Sequence, residues 1–294
     1  MTEVATAPAV PVTGRAHASL ARLVRAELRW IFRRPRTLVV LGLLAVIPVI
    51  VGIALTLVDS PGPPGGGPGG DGGGESLLAT AGGNALVLPV GTLAMALGLL
   101  LPLSAAMSGA DALAGETAHG TLRGWLLAPV GRGRLLLVKS IGVAVFTVTA
   151  TVVMALTGVL TGLVINGTGS LFTLSGTTLS FPAAMLKVAI AAGWVALQLW
   201  AVGAVALAIS AWTEHPMVVL ASVLGGVIVF SVLGLLDALD WLHPFLLNHS
   251  WTDLGDVLRD PMPGGPLAEG ALRAGCYIAI ALSLAYARLS TKDG

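Results

Sequence analysis

Six apolar runs divide the chain, at 37–58, 85–107, 135–165, 182–211, 216–236 and 271–287. A helix needs about 20 predominantly apolar residues to cross a hydrocarbon core of about 30 Å, and the six runs meet or approach that length. The third and fourth exceed it, which predicts tilt or extension beyond the bilayer. The first is too long for the apolar core of a leader peptide and no small-residue cleavage site follows it, so it reads as an anchor. The pattern predicts an all-α integral membrane domain over 36–289 with six transmembrane helices.

The intervals differ in kind. Residues 1–17 read as a disordered tail. Residues 59–84 form a loop rich in Gly and Pro, containing SPGPPGGGPGGDGGGES, which has too little apolar surface to fold on itself. Residues 237–270 alternate apolar anchors with acids and predict short interfacial or re-entrant helices. There Ser250 and Asp253 have capping-box spacing, Trp251, Leu254, Val257 and Leu258 share a face, and Trp241 and Trp251 are placed at headgroup level.

Ahead of the first span, residues 18–35 have a two-faced pattern. Arg22, Arg25, Arg29 and Arg33 recur at steps of three and four and form a basic stripe, while Leu20, Leu23, Val24, Leu28 and Ile31 fill the opposite face. Such a helix lies in the membrane interface with its arginines toward anionic headgroups. Two readings stand: an ordinary positive-inside signal, or an elbow helix that braces the first span. Glu27 sits on the apolar side and favours the elbow, because a buried acid requires a partner. Pro35 ends the helix and turns the chain into the first span.

Charge placement orients the whole. Of the 16 Lys and Arg residues, seven precede the first run, three lie between the second and third with Lys139 just inside the third, and two follow the sixth. Only Lys187, Arg259 and Arg273 fall on the other side. The positive-inside rule then puts both termini in the cytoplasm of a plasma-membrane protein.

Composition excludes several classes. The chain is 55% apolar and 11% charged, where a soluble domain carries about a quarter charged residues. A net charge of +1 leaves no bulk attraction for nucleic acid. The single cysteine, Cys276, excludes a disulfide framework or a cysteine zinc cage. Span middles carry no charge, and Gln198 is the one large polar side chain at mid-depth, which argues against a proton relay or an intramembrane carboxylate pair. His243, His249, Asp253 and Asp256 lie near one another in sequence, but their spacing fits no standard metal pattern. Gly158 and Gly162, four apart, read as helix-packing residues.

The segment 109–134, SGADALAGETAHGTLRGWLLAPVGRGR with its preceding serine, surfaces between two apolar runs. Glycines punctuate it, Pro129 closes it, and between them about three helical turns fit. Glu116, His119 and Arg123 form a polar face; Leu122, Leu126 and Trp125 form an apolar one. The order Glu116, Gly120-Thr121-Leu122, Leu126-Leu127, Pro129-Val130, Arg132, Lys139 resembles the cytosolic signature of the permeases of ABC-2 type ATP-binding-cassette exporters. Many such permeases carry acids just before Gly-Thr-Leu, whereas this chain has Ala118-His119.

The resemblance implies an ABC-2, type V exporter-like transmembrane domain that dimerises with itself or a related permease and works with two copies of a separate cytosolic ATPase. It makes 109–134 the coupling segment, with Glu116, His119, Thr121, Leu122, Arg123, Trp125 and Leu126 toward the ATPase. A second contact falls at Glu214 and His215, where a plain tight turn before Pro216 is the alternative. It also places a substrate path between spans two and five, giving Thr92, Met95, Leu99, Val223, Val227 and Phe230 as lining candidates for an amphipathic drug, antibiotic or lipid. ATP and magnesium belong to the partner: no G-x-x-x-x-G-K-[ST] occurs, since Lys139-Ser140 follows Val138. A stand-alone carrier or channel is the alternative, and it predicts broken-helix repeats and mid-bilayer ionisable residues.

Overall fold

The computed structural model describes residues 19–57, 77–78, 84–118, 120, 131–167, 171 and 173–291. Helix α1, Leu20–Arg33, is followed after Arg34 by α2, Pro35–Leu57. Arg34 is extended (φ −74°, ψ 126°), the conformation that a following proline imposes. Then come α3, Val87–Leu97, and α4, Leu100–Ala110, which continues through a π-helical turn, Asp111–Gly115, to Ala118. The long helices α5, Arg132–Asn166, and α6, Phe181–Trp212, precede α7, Pro216–Leu233. Two 3₁₀ helices, Asp237–Phe245 and Leu247–Leu258, lead into α8, Gly264–Thr291.

Five of these helices are long and apolar enough to cross a membrane, and six spans result if α3 and α4 form one broken crossing. The expectation of one continuous helix over 85–107 is corrected here. The α3 and α4 axes are bent by 58° at Gly98–Leu99, and Leu99 leaves helical geometry at φ −150°. Pro102 explains the position: it has no N–H for the Gly98 carbonyl and its ring crowds that turn. The last crossing also begins earlier than the apolar run 271–287, where its first turns pack against the second 3₁₀ helix, and it ends later, at Thr291. At 1.5 Å per residue, α5 is about 52 Å long and overshoots a hydrocarbon core of about 30 Å.

Helix α6 is the hub. Two thirds (67%) of its most apolar window is buried, against 17% for α2 and 11% for α7. Small residues let its neighbours approach closely. A Cβ added to Gly109 of α4 would lie 2.5 Å from the Gly203 carbonyl oxygen, and one added to Gly203 would lie 2.4 Å from Val143 Cγ1 on α5. Gly158 and Gly162 admit the backbone of Pro89 and Ala85 in the same way. Two α6 side chains then donate into α8: Trp194 Nε1 to the Leu267 carbonyl at 2.9 Å, and Gln198 Nε2 to the Gly270 carbonyl at 3.0 Å. The mid-depth polar residue is thus a helix-to-helix tie.

At the same end of the bundle, Lys187 does not merely reach toward water. Its ammonium donates to the carbonyls of Val257 and Arg259, at 3.1 and 2.8 Å, capping the second 3₁₀ helix where cations are favoured. Ser250 lies inside that helix, with Leu246 as its N-cap, so the capping-box reading does not hold; the Ser250 hydroxyl instead accepts from Arg273. Trp251, placed at headgroup level by the sequence, is only 9% exposed, whereas Trp241 is well exposed. A 3₁₀ helix repeats every three residues, which stacks Trp251, Leu254 and Val257 into one buried stripe.

Replacing Gly109 with Leu is expected to lower the thermal unfolding midpoint of the detergent-purified chain, at a cost of about 1–3 kcal/mol for overpacking. Gly42→Leu, where an added Cβ meets nothing within 4 Å, is the control and leaves the midpoint unchanged.

Candidate functional site

At the opposite, basic end of the bundle, three helices meet at one buried ammonium. Lys139, in the first third of α5, is 1% exposed, and Glu27 of α1 and Glu116, just beyond α4, are 4% and 3% exposed. The Lys139 Nζ lies 3.0 Å from both carboxylate oxygens of Glu27 and also donates to Glu116 Oε1. Removing such charges from water is costly, so they persist only when paired and hydrogen-bonded. The acid on the apolar face of α1 has its partner 112 residues away. Gly142, one turn beyond Lys139, makes room for it: a Cβ there would lie 2.9 Å from Ile31 Cδ1 and 3.2 Å from Glu27 Cγ.

A second ionic layer adjoins the first. Arg34 and Arg36, flanking Pro35, reach the Asp111 carboxylate at 3.5 and 3.3 Å. The Arg34 guanidinium also lies over the Trp30 ring, 3.2 Å from its centroid, with Lys139 Nζ at 5.3 Å from the same ring. Burial draws the Arg34 pKa down, and Asp111, Glu116 and Glu27 draw it back up; a guanidinium keeps its charge throughout. Three carboxylates thus face three cations. The π turn is what aligns them, because bonding five residues apart brings Asp111 and Glu116 to one face, where an α-helix would splay them. A cavity of about 20 Å³ between Glu27, Arg34, Asp111 and Lys139 has room for one water.

Both flanks of the motif segment are therefore fastened within the chain. Glu116 holds one flank. On the other, the guanidinium of Arg132 donates to the carbonyls of Leu289 and Ser290 at the end of α8. Arg288 beside them lies 5.0 Å over the Trp212 ring, which closes α8 onto the end of α6. Between the flanks, Gly120 donates its N–H to the Thr117 carbonyl at φ +71°, a left-handed turn that glycine alone adopts without strain. His119, Thr121, Leu122, Arg123, Trp125 and Leu126 lie outside the described residues, as do the tail 1–17 and nearly all of the loop 59–84.

The remaining expected residues separate. Glu214 and His215 are exposed in the turn between α6 and α7, where the His215 N–H donates to Thr213 Oγ1 at 3.2 Å. Arg22, Arg25, Arg29 and Arg33 are all exposed on the face of α1 away from Glu27. Thr92 is buried and spends its hydroxyl on the Leu88 and Pro89 carbonyls of its own helix. Met95 and Leu99 are exposed on α3 and at the kink. Val223, Val227 and Phe230 instead line one cavity of about 110 Å³. Among the described residues no three His, Cys, Asp or Glu side chains converge to hold a metal ion.

The buried ionisable groups at this end clamp three helices of a membrane domain to one another. The profile described as ABC-2 family transporter protein matches residues 21–293, and the chain belongs to that family as a transmembrane permease. No curated protein matches the sequence.

Lys139→Met leaves two buried carboxylates without their cation and is expected to destabilise the chain by about 3–5 kcal/mol. Replacing Glu27, Lys139 and Glu116 together by Met recovers most of that loss. Unfolding in detergent measures both; a triple variant as unstable as the single one contradicts the coupling.

Proposed function

We propose that this permease is the membrane-spanning subunit of an exporter that dimerises and is driven by two copies of a separate cytosolic ATPase docked on 109–134. The observation that carries the reading is the fastening of that segment at both flanks, through Glu116 to α1 and α5 and through Arg132 to α8. A displacement at the segment is transmitted to rigid helices at both attachments. His119, Thr121, Leu122, Arg123, Trp125 and Leu126 supply the docking face, and the exposed Glu214 and His215 turn at the same end adds a second contact.

ATP and magnesium are bound by the partner, and this chain contributes force transmission, not hydrolysis. Both termini are cytoplasmic in the plasma membrane, in keeping with the Lys and Arg asymmetry. The basic stripe of α1 rests against anionic headgroups on that side. Helices α2 and α7, apolar and largely uncovered, are the faces available to a second permease copy, identical or related. The cargo is amphipathic: a drug, an antibiotic or a lipid.

Purification of the tagged chain from its host in mild detergent is expected to bring down a nucleotide-binding subunit in stoichiometric amount. Leu122→Asp and Trp125→Asp each reduce that recovery at least about tenfold while leaving the unfolding midpoint of the permease unchanged, since about 1.4 kcal/mol of lost contact is tenfold in binding. A chain that purifies alone and moves substrate across vesicles without ATP is a stand-alone carrier instead.

A further inference from the structure

Two leucines stand out from the segment that carries them. Between Val58 and Leu77 the chain holds only Asp, Ser, Pro, Gly and Glu, so Leu77 and Leu78 are the first side chains after Val58 that can seek an apolar seat. They find one at the end of the bundle away from the ion cluster. Both are buried, in the same core as Val87 and Val90 of α3 and Leu254 and Val257 of the second 3₁₀ helix.

Two glycines make the seat. A Cβ added to Gly91 of α3 would lie 2.9 Å from Leu78 Cδ2 and 3.7 Å from Leu77 Cβ. One added to Gly255 of the second 3₁₀ helix would lie 3.3 Å from Leu77 Cδ2. Leu77 therefore bridges the two helices, and Leu78 fills the hollow over Gly91. Gly91 is buried under the pair, whereas Met95, one turn along the same side of α3, is exposed. The leucines close one end of a face that is open further along. Where the chain enters α3, Asn84 Oδ1 accepts from the Leu86 N–H at 3.0 Å, so the helix start is fixed by a bond of its own and does not depend on the leucines.

Gly158 and Gly162 offer a contrast. A Cβ there would lie 2.7 Å from Pro89 Cα and 2.6 Å from the Ala85 carbonyl oxygen, backbone atoms of the chain opposite, so those contacts cannot part without moving a helix. At Gly91 and Gly255 the three nearest atoms all belong to the Leu77 and Leu78 side chains. The pair can leave while α3 and the 3₁₀ helix stay in place.

We infer that Leu77 and Leu78 are a removable stopper. Seated on Gly91 and Gly255, they close the side of α3 that carries Met95; unseated, they open that side to the water beyond this end of the bundle. The hydrophobic effect holds the stopper shut, because opening exposes both leucines and the wall they cover. The inference rests on the exporter reading for its purpose, which makes this the outer end and the stopper the last barrier to a departing cargo. The seat itself is independent of any ATPase.

The seat is tested on the purified full-length permease alone, with Cys276→Ser. Leu77→Cys with Gly91→Cys sets two Cβ atoms 3.7 Å apart, the spacing of a disulfide, so mild oxidation should link most molecules. A pair that stays unlinked overturns the seat. Opening is read in sealed right-side-out vesicles without ATP, by a membrane-impermeant maleimide on Met95→Cys. Replacing both leucines with Ser should raise its labelling rate at least about tenfold, while Leu156→Cys, an exposed position on α5, keeps its rate. Equal rates at Met95→Cys overturn the stopper. In the complex with its ATPase subunit, ATP should raise the labelling of Leu77→Cys by at least about the same factor. A rate that ATP does not move overturns the stopper and leaves the exporter reading standing. If no ATPase subunit co-purifies, the exporter reading fails, and the disulfide and the vesicle comparison still decide the stopper.

Discussion

One buried ammonium holds the basic end of this protein together. Lys139 lies at a depth where an unpaired charge would not be tolerated, and both of its carboxylate partners come from other elements. Its position explains neighbouring features that look unrelated. Gly142 is small because α1 must lie against α5 for Glu27 to reach it. The turn 111–115 is π-helical because Asp111 and Glu116 must face the same way. Arg34 is extended ahead of Pro35, so α1 lies beside the bundle and does not run on as the start of α2. An apolar core of equal volume would restore most of the stability lost with the lysine alone, so what the ions chiefly add is geometry: two helices can satisfy one lysine only in a particular register.

The far end is organised by different means. There the ties are neutral or run from a side chain to a backbone carbonyl: Trp194 and Gln198 into α8, and Lys187 onto the end of the 3₁₀ helix. Between the two ends, glycine and alanine bring α4, α5 and α6 into backbone contact, the packing available to helices that gain nothing hydrophobic by leaving lipid. The bundle is thus rigid in the middle and sewn by directional bonds at its ends. Force applied at one end would then move helices as bodies.

The helical membrane architecture and the family were legible in the sequence, because run length and the Glu116 to Lys139 motif order survive without knowledge of packing. So was the need for a partner at Glu27, since an acid on an apolar helical face signals burial. The partner was not legible. Lys139 reads as one more basic residue at the mouth of a span, and nothing local joins positions 112 apart. Asp111 was missed for a sharper reason: counting at 3.6 residues per turn sets it off the Glu116 face, and a π turn leaves no mark in composition. Pro102 did announce the kink, but an apolar run of membrane length hides a bend when only hydropathy is read. Around Trp251 the shared face with Leu254 and Val257 was legible, but its direction was not: the stripe is buried against the bundle and does not lie at the headgroups.

In the proposed coupling, the ion cluster carries motion from 109–134 into the membrane domain. Spin labels at Arg29→Cys and Trp241→Cys, both exposed positions, with Cys276 replaced by Ser, report the separation of α1 from the far end by pulsed electron resonance. In the complex with its ATPase subunit, ATP should shift that distance distribution when Glu27, Lys139 and Glu116 are native. The shift should vanish in the folded variant with Met at all three. An identical ATP-dependent shift in that variant would show that the cluster holds the fold and transmits nothing.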